Sequence, residues 1–236
     1  MDQVREQLRN ARSIAVLTGA GVSAESGIPT FRGSGGVWRN LRAEDLATPQ
    51  GFARDPALVW EWYDSRRQQI AAAQPNAGHR ALAHLEARSS RFTLITQNVD
   101  DLHERGGSRN VLHVHGSIWE VRCLGCGEET VDMRVPLPQI PPRCACGALL
   151  RPGVVWFGEA LPQDVWRSAE QAATSSEIFL VAGTSAVVYP AAGLVELARS
   201  SGAKVIEINV DATHASRTSG HFLQGRFGEL LPQLIS

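Results

Sequence analysis

Four short apolar runs constrain the fold of this chain more than any other feature of its sequence. Each is rich in β-branched residues and ends in small or polar residues; the runs are Ser13–Thr18, Arg91–Thr96, 177–182 and 204–208. Such runs are typical of strands that are buried on both faces of a parallel sheet. Stretches with helical periodicity lie between them, one starting after a good N-cap residue, Asn76, and another over 165–173. The sequence therefore predicts an α/β fold with a doubly wound parallel sheet, which binds its ligand where the strands end.

Two segments interrupt this alternation of strands and helices. Residues 33–75 have helical character, and residues 118–150 hold all four cysteines and a proline-rich stretch. We interpret both as insertions into one domain, because a chain of 236 residues suits a single large domain. The predicted main domain comprises residues 1–32, 76–117 and 151–236. It carries a helical insertion at 33–75 and a cysteine-containing module at 118–150.

The charge balance excludes some classes of partner. There are 24 acidic and 23 basic residues, so the formal net charge is -1 and no net positive field attracts nucleic acid or an anionic membrane. The longest uncharged stretch, 178–195, contains glycines and a proline, which predicts a strand, a loop and a helix start instead of a membrane span. The apolar run at 14–17 is too short for a signal core. We therefore expect a cytoplasmic protein, with no nucleic acid and no membrane among its partners.

The cysteines form two tight pairs. Cys123 and Cys126 are separated by two residues, Cys144 and Cys146 by one, and 17 residues lie between the pairs. In a chain without a secretion signal such pairs indicate metal before disulfide. Two pairs of thiolates can complete the tetrahedron that zinc prefers, and four protein ligands leave no open position for catalysis. The sequence predicts one structural zinc ion; the alternative is four free or disulfide-bonded cysteines.

A glycine-rich turn follows the first predicted strand. Residues 19–24 fit the G-x-G-x-x-A form of a dinucleotide-binding turn, in which glycines let the backbone approach a pyrophosphate. A tight turn without a ligand is the alternative. No acidic residue ends a second strand about 20 residues further on, where a dehydrogenase would bind its ribose. A hydride-transfer enzyme is therefore disfavoured.

Two histidines alternate at the end of another predicted strand. His113 and His115 precede Gly116, so they lie where a strand opens into a turn. A histidine at such a place can be a surface residue or a core residue with satisfied hydrogen bonds. It can equally be a general base, since its pKa lies near neutral pH. The pattern alone leaves these alternatives open.

Together, these motifs resemble the sirtuins, a family of NAD-dependent protein lysine deacylases, in their bacterial, class III form. The matching segments follow the order of the family and cover nearly the whole chain. They are 19–32, 96–101, 115–117, the four cysteines, 154–159, 183–185 and Asn209.

The resemblance implies a Rossmann-like large domain and a small domain built from the zinc module and the helical insertion. NAD and the acyl-lysine would enter the cleft between them from opposite sides. Gly21 and Ser23 would face the phosphates, and Asp100 would hold the nicotinamide carboxamide. The residues expected to bind NAD are Gly19, Ala20, Gly21, Ser23, Glu25, Thr30, Phe31, Arg32, Trp38, Gln97, Asn98, Val99, Asp100, Gly183, Thr184, Ser185, Asn209, Val210, Asp211 and Phe227.

The resemblance also implies two catalytic residues, His115 and Asn98. Asn98 would line the nicotinamide pocket. Loss of nicotinamide leaves an oxocarbenium-like ribose carbon, which Phe31 would shield from water. The acyl oxygen attacks this carbon to give an imidate, and His115 removes the proton from the ribose hydroxyl that attacks the imidate. The products would be free lysine, nicotinamide and O-acyl-ADP-ribose.

The acyl-lysine protein substrate is expected to bind as an added strand between 154–159 and 187–190. Tyr63 and Arg66 are three residues apart in a helical segment, so they share a face. In the resemblance they match the pair that binds the terminal carboxylate of succinyl and malonyl groups, and Ala47 matches the small residue that widens the acyl channel. The expected substrate-binding residues are Ala47, Tyr63, Arg66, Val154, Phe157, Gly158, Glu159 and Val187.

Several alternatives accompany this interpretation. Arg66, like its neighbour Arg67, could be solvated and take no part in acyl binding. The same NAD site could serve a mono-ADP-ribosyltransferase. The cysteine segment could be a zinc ribbon that binds nucleic acid, which the near-neutral charge disfavours. We place desuccinylation first, with deacetylation as a retained second activity, and we expect a monomer although the sequence leaves the oligomeric state open.

Overall fold

The computed structural model describes residues 1–30, 37–217 and 220–236, with the side chains of all of these except Val37 and Arg217. The strands are β1 Ser13–Thr18, β2 Val37–Trp38, β3 Leu41–Arg42, β4 Arg91–Thr96, β5 Val111–His113, β6 Gly116–Cys123, β7 Glu129–Val131, β8 Leu150–Val154, β9 Ile178–Ala182, β10 Lys204–Asn209 and β11 His221–Gln224. The helices are α1 Asp2–Asn10, α2 Ala20–Ala24, α3 Ala43–Leu46, α4 Pro49–Arg54, α5 Pro56–Ala72, α6 Ala77–Arg88, α7 Leu102–Arg105, α8 Gln163–Ser175, α9 Gly193–Ser200 and α10 Phe227–Ile235.

A six-stranded parallel sheet forms the larger part of the fold, in the order β11-β10-β9-β1-β4-β5. Every residue of the central strand β1 is buried. Ile14 and Val16 pack in one core with α1, α6 and α10, whereas Ala15 and Leu17 pack in another core with α8 and α9. Because helices cover both faces, the strand is apolar at consecutive positions instead of alternating ones. The predicted doubly wound parallel sheet is confirmed.

The helix starts follow the side chains that cap them. The side-chain oxygen of Asn76 accepts hydrogen bonds from the amides of Gly78 and His79, as predicted for the start of α6. The side-chain nitrogen of Asn76 donates to the carbonyl of Val22, in the middle of α2, over 2.8 Å. One residue therefore fixes the short helix that follows the glycine turn against the longer helix α6.

The two interrupting segments share a third core. Trp60 and Tyr63 of α5 pack with Trp119 and Val121 of β6 and with Leu150 of β8. Strands β7, β6 and β8 form an antiparallel sheet in that order. The indole nitrogen of Trp60 donates to the carbonyl of Leu150 over 2.8 Å. The helical segment and the cysteine-containing segment are therefore stabilised by each other.

Arg67 joins these segments from a fully buried position. Its guanidinium donates to the carbonyls of Ile118, Asp132 and Arg134 and lies beside the carboxylate of Asp132. The alternative that Arg67 is solvated is wrong, because four acceptors from a distant part of the chain replace water around its charge.

The start of the segment predicted to be helical differs from the prediction. Residues 37–42 form a short antiparallel hairpin, β2 with β3, whose turn residues Arg39 and Asn40 have positive φ values of 48° and 64°. Such a turn is usually built from Asn and Gly, so the Arg-Asn pair gave no signal. Within the segment 37–75, the first helix begins at Ala43. Within the described ranges, no helix combines the length and the apolar character that crossing a membrane requires.

Candidate active site

A large cleft of about 950 Å³ lies at the carboxyl ends of β1, β4, β9 and β10, between the parallel sheet and the third core. Parallel strands present their ligand-binding loops at this edge. Most of the predicted site residues line it: Gly19, Ala20, Gly21, Thr30, Gln97, Asn98, Val99, Gly183, Thr184, Ser185, Asn209 and Asp211 from the cofactor set, Ala47, Tyr63, Val154, Phe157, Gly158, Glu159 and Val187 from the substrate set, and His115.

The remaining predicted residues that the structure describes lie elsewhere. Ser23, Asp100 and Arg66 are buried behind the cleft wall, Trp38 packs against the third core, and Val210 is exposed. Glu25 accepts a hydrogen bond from the amide of Gly228, and Phe227 is only 2% exposed in the core of the parallel sheet. Phe31 and Arg32 lie outside the described residues. The cleft thus brings together residues of the predicted cofactor and substrate sets. Glu25 instead joins the end of α2 to α10, and Phe227 packs in the core next to α6.

The glycine turn packs directly on the loop that follows β9. The amide of Gly21 donates to the carbonyl of Gly183 over 2.8 Å. A Cβ atom on Gly21 would lie 2.7 Å from that carbonyl oxygen, and one on Gly19 would lie 2.7 Å from the Cβ of Thr184. The first two glycines of the motif are therefore required by the close approach of two strand ends, which places both loops on one side of the cleft.

The imidazole of His115 is held from one side and faces the cleft. Its Nδ1 lies 3.0 Å from the carbonyl oxygen of Gln97. Since a carbonyl only accepts, Nδ1 carries the hydrogen and Nε2 keeps a lone pair. Burial lowers the pKa of His115 below its ordinary value, and the bond to Gln97 opposes this only in part. At neutral pH the ring is therefore neutral, with its basic nitrogen available.

A buried polar network lies behind Asn98. The side-chain amide of Asn98 donates to the hydroxyl of Ser23 over 3.0 Å. That hydroxyl in turn contacts the carboxyl group of Asp100, which also accepts from the amide of Leu102 over 3.1 Å. Burial raises the pKa of Asp100, although these hydrogen bonds oppose the rise. The network fixes the side chains of Asn98 and Asp100 relative to the glycine turn.

Tyr63 and Arg66 are both buried at the other end of the cleft. Tyr63 lines the cleft beside Ala47, and its hydroxyl oxygen accepts from Nε1 of Trp156 over 3.0 Å. Burial raises the pKa of Tyr63 well above its ordinary value. Arg66 is 7% exposed, and burial lowers its pKa while Tyr63 and Asp100 raise it. The alternative of a solvated Arg66 is therefore wrong.

The four cysteines form one cluster, in which all sulfur atoms lie within 4.8 Å of one another. The sulfur–sulfur distances are 3.4 Å for Cys123 and Cys146 and 3.7 Å for Cys126 and Cys144. Sulfurs at tetrahedral corners about 2.3 Å from a zinc ion lie about 3.8 Å apart. The cluster fits a zinc ion with four protein ligands, and the disulfide alternative is not realised in the structure.

Several cleft residues were missed by sequence reasoning. Trp156 lies within the matching segment 154–159. Outside every matching segment are Glu44, Leu161, Thr213, His214 and Ser216. The last three follow Asn209 and Asp211 in one loop. Two of them are held from below by Glu207, which is fully buried in β10 and accepts from the hydroxyls of Thr213 and Ser216 over 2.8 and 2.6 Å. The acidic residue within an otherwise apolar strand was the signal that could have found this loop.

Known proteins are similar to this chain in sequence and in fold. The model of the Sir2 family matches residues 19–190. An "NAD-dependent protein deacylase 2" of Pyrobaculum aerophilum is 52% identical over 98% of this chain and 93% of its own length. An "NAD-dependent protein deacylase" of Aquifex aeolicus is 55% identical, with 89% of each chain covered. The crystal structure of a complex between a Sir2 homolog and NAD superposes with a TM-score of 0.95 at 48% identity, covering 100% of this chain and 92% of the other. The resemblance to the sirtuins is thereby confirmed, and this chain belongs to the Sir2 family.

Proposed function

We propose that this protein is an NAD-dependent protein lysine deacylase that removes succinyl, malonyl and acetyl groups from lysine side chains and yields nicotinamide and O-acyl-ADP-ribose. The single observation that carries the proposal is the imidazole of His115 in a cleft that the predicted cofactor residues and Tyr63 of the predicted acyl-binding pair also line. The names of the similar deacylases support it.

The cofactor would occupy the part of the cleft between the glycine turn and the loop after β9. The close contact of Gly21 with Gly183 supports this, because it keeps side chains out of the wall that the pyrophosphate would approach. Asn209 and Asp211 would bind the adenosine half, and Asn98 and Asp100 would bind the nicotinamide. When bound, NAD supplies the ribose carbon that releases nicotinamide and accepts the acyl oxygen.

His115 would be the general base. Its Nδ1 is occupied by the carbonyl of Gln97, so only Nε2 can take a proton from a ribose hydroxyl in the cleft. Because burial lowers its pKa, the ring is free of a proton at neutral pH and is ready to accept one. Asn98, fixed by Ser23, would orient the cofactor for this transfer.

Tyr63 and Arg66 would select acidic acyl groups. The phenol oxygen accepts from Trp156, so its O–H would be left to donate to an acyl carboxylate in the cleft that Tyr63 lines. The guanidinium of Arg66, which is buried three residues further along α5, would add a positive charge near the phenol. A terminal carboxylate would receive hydrogen bonds worth about 1.5–3 kcal/mol each. Ala47 beside Tyr63 leaves room for the longer acyl chain.

The substrate peptide would add as a strand between residues 154–159, at the end of β8, and residues 187–190. The chain after β8 is held rigid by Arg151, which pairs with the carboxylate of Glu159 at 2.5 and 2.9 Å and stacks 3.5 Å from the ring of Trp156. Phe157, Val187 and Tyr189 are exposed at the mouth of the cleft and would contact the aliphatic part of the lysine and its neighbours. Main-chain pairing of this kind gives little selectivity for sequence.

The domain division predicted above is also part of the proposal. Residues 1–32, 76–117 and 151–236 would form the Rossmann-like domain, 33–75 the acyl-binding insertion and 118–150 the zinc module. The shared third core supports a small domain built from the last two. The zinc ion would be structural, held by Cys123, Cys126, Cys144 and Cys146 with no position left open. A cytoplasmic location and a monomeric state stay predictions.

The decisive experiment incubates the protein with NAD and a succinyl-lysine peptide and measures the masses of the products. We expect equal amounts of unmodified peptide, nicotinamide and O-succinyl-ADP-ribose. ADP-ribosylated protein without O-succinyl-ADP-ribose would show a mono-ADP-ribosyltransferase instead. Relative rates on acetyl, succinyl, malonyl and glutaryl versions of one peptide then rank the acyl groups.

A further inference from the structure

A second histidine stands behind the nicotinamide end of the cleft. His113 ends β5, and its side chain is 22% exposed. Both of its ring nitrogens face oxygen atoms: Nδ1 lies 3.3 Å from the carbonyl oxygen of Asn98, and Nε2 lies 2.5 Å from Oε1 of Glu104 in α7. The ring therefore bridges a helix and the loop that carries the predicted nicotinamide residues.

The chemistry of these two acceptors fixes the state of the ring. A backbone carbonyl only accepts hydrogen bonds, and so does an ionised carboxylate. Both contacts are hydrogen bonds only if both ring nitrogens carry hydrogen, which makes His113 an imidazolium. The surroundings of His113 agree with this state. Burial lowers the pKa of His113, but this effect is outweighed by the hydrogen bond and charge of Glu104, the carbonyl of Asn98 and the charge of Asp100. The pKa of His113 is therefore raised above its ordinary value.

His115 provides the contrast. It lies two residues further along, in the turn between β5 and β6, faces one acceptor, and has a lowered pKa. The two rings thus hold consecutive carbonyls, that of Gln97 by the neutral His115 and that of Asn98 by the charged His113. Neighbouring titratable groups whose surroundings drive their pKa values apart have different roles in a site.

We propose that protonated His113, held by Glu104, is a positioning residue that fixes the peptide of Asn98 and thereby the nicotinamide end of the cleft. The inference rests on the proposed function, which assigns nicotinamide to Asn98 and Asp100. His113 does not touch the reacting atoms. It acts through the carbonyl of Asn98, whose side chain is fixed independently by Ser23.

The proposal has a defined pH dependence. A neutral imidazole has one N–H, and the short contact with the carboxylate of Glu104 retains it, so the bond to Asn98 is lost first. Because the folded pKa is raised, this stabilisation is complete below the unfolded value of about 6.5 and is lost as pH rises through the higher folded value. The groups that face the ring are Glu104 and His103 from α7 and Asp100 from the preceding loop. Loss of order at Asn98 therefore limits activity on the alkaline side.

Three variants test this. His113→Gln removes the titration, Glu104→Gln removes the carboxylate, and His84→Gln alters an exposed histidine of α6 as a matched control. The titration of each histidine is followed by the NMR signals of its ring from roughly pH 6 to 10. The same pH series is measured for kcat/KM with respect to NAD and for inhibition by nicotinamide, with a succinyl-lysine peptide as acyl donor.

For the wild type we expect a decline on the alkaline side whose midpoint equals the NMR pKa of His113. Glu104→Gln should move both midpoints to lower pH. His113→Gln should abolish that pH dependence and raise the KM for NAD and the inhibition constant of nicotinamide about tenfold at neutral pH, the effect of one charge-assisted hydrogen bond. The KM for the peptide should not change, and His84→Gln should match the wild type.

An NMR pKa of His113 at or below about 6.5 would overturn the proposal, and so would an alkaline decline that persists unchanged in His113→Gln. A uniform loss of activity without a change in pH dependence would make His113 merely structural and would also refute it. If the wild type releases no acyl group at all, the proposed function fails. The NMR titration and calorimetric binding of nicotinamide to the wild type and Glu104→Gln would still decide the role of His113.

Discussion

The indole Nε1–H of Trp156 donates to the hydroxyl oxygen of Tyr63 over 3.0 Å. This bond fixes the phenol and leaves its O–H free of Trp156, on a residue that lines the cleft. Because burial raises the pKa of Tyr63, the hydrogen is retained at neutral pH. We expect Tyr63→Phe to lower kcat/KM for a succinyl-lysine peptide about tenfold, the value of one hydrogen bond to a charged acceptor. The rate on the matching acetyl peptide should change little. Equal losses on both peptides would contradict a role in acyl selection.

Arg66 gives a sharper test of the same site. Its charge is buried behind Tyr63, so Arg66→Met removes the charge while keeping an apolar stem of similar length. We expect desuccinylation to fall about ten- to a hundredfold more than deacetylation, since a charge-assisted bond is worth about 1.5–3 kcal/mol. Gln69→Met introduces the same side chain at an exposed position of α5 and serves as the control. An unchanged ratio of the two rates in Arg66→Met would remove Arg66 from the acyl site.

The cysteine cluster predicts a metal that supports folding and not catalysis. We expect one zinc ion per chain by elemental analysis. Because the cysteine segment and α5 share one core, a strong chelator or Cys126→Ser should lower the melting temperature and release the aromatic residues of that core to solvent. Ala145→Ser, which alters an exposed residue between two of the cysteines, should leave the metal content and the melting temperature unchanged. Full thermal stability of metal-free protein would disprove a structural zinc site.

His115 should limit activity on the acid side. Burial lowers its pKa, so the ring stays neutral as pH falls below the ordinary histidine value of about 6.5, and kcat/KM should decline only below that. Because the pKa of His115 is lower in the folded state than in the unfolded state, protonation of its ring at low pH also decreases the free energy of unfolding. His115→Asn keeps a donor for the carbonyl of Gln97 but has no basic nitrogen. We expect it to fold with the melting temperature of the wild type and to lose turnover at every pH. Substantial turnover by this variant would show that another group is the base.

The parallel sheet was predictable because its signal is local. A strand such as β1 is covered by helices on both faces, and its apolar composition reports this directly. The cysteine cluster was predictable for the same reason, since its spacing encodes its geometry. Arg67 was not: its partners are carbonyls more than 50 residues away in sequence, and an arginine in a helix gives no sign of them. The placement of Phe227 in a core instead of the cleft likewise depends on how α10 packs against α6.

Glu207 provides the last prediction, which concerns the adenosine end of the cleft. Its fully buried carboxylate accepts from the hydroxyls of Thr213 and Ser216, and both of these residues line the cleft next to Asp211. Glu207→Gln replaces one acceptor oxygen by a donor, so only one of the two hydroxyls can go on donating to this side chain, and the other must turn to accept from the new amide. We expect a rise of several-fold in the KM for NAD, with the KM for the peptide unchanged, because the hydrogen bonds that hold the loop are rearranged.

Thr213→Val removes one hydroxyl while preserving shape, and it should raise the KM for NAD in the same direction as Glu207→Gln. Because both changes act on one network, their effects on the affinity for NAD should not add in full. The double variant should bind NAD more weakly than Glu207→Gln by no more than the effect of one hydrogen bond, about 1 kcal/mol. Glu6→Gln makes the same chemical change at an exposed position of α1 and is the control. Steady-state kinetics with varied NAD measures the effect, and calorimetric binding of ADP-ribose checks it without turnover. Unaltered affinity for ADP-ribose in Glu207→Gln would show that the buried carboxylate stabilises the fold but does not shape the site.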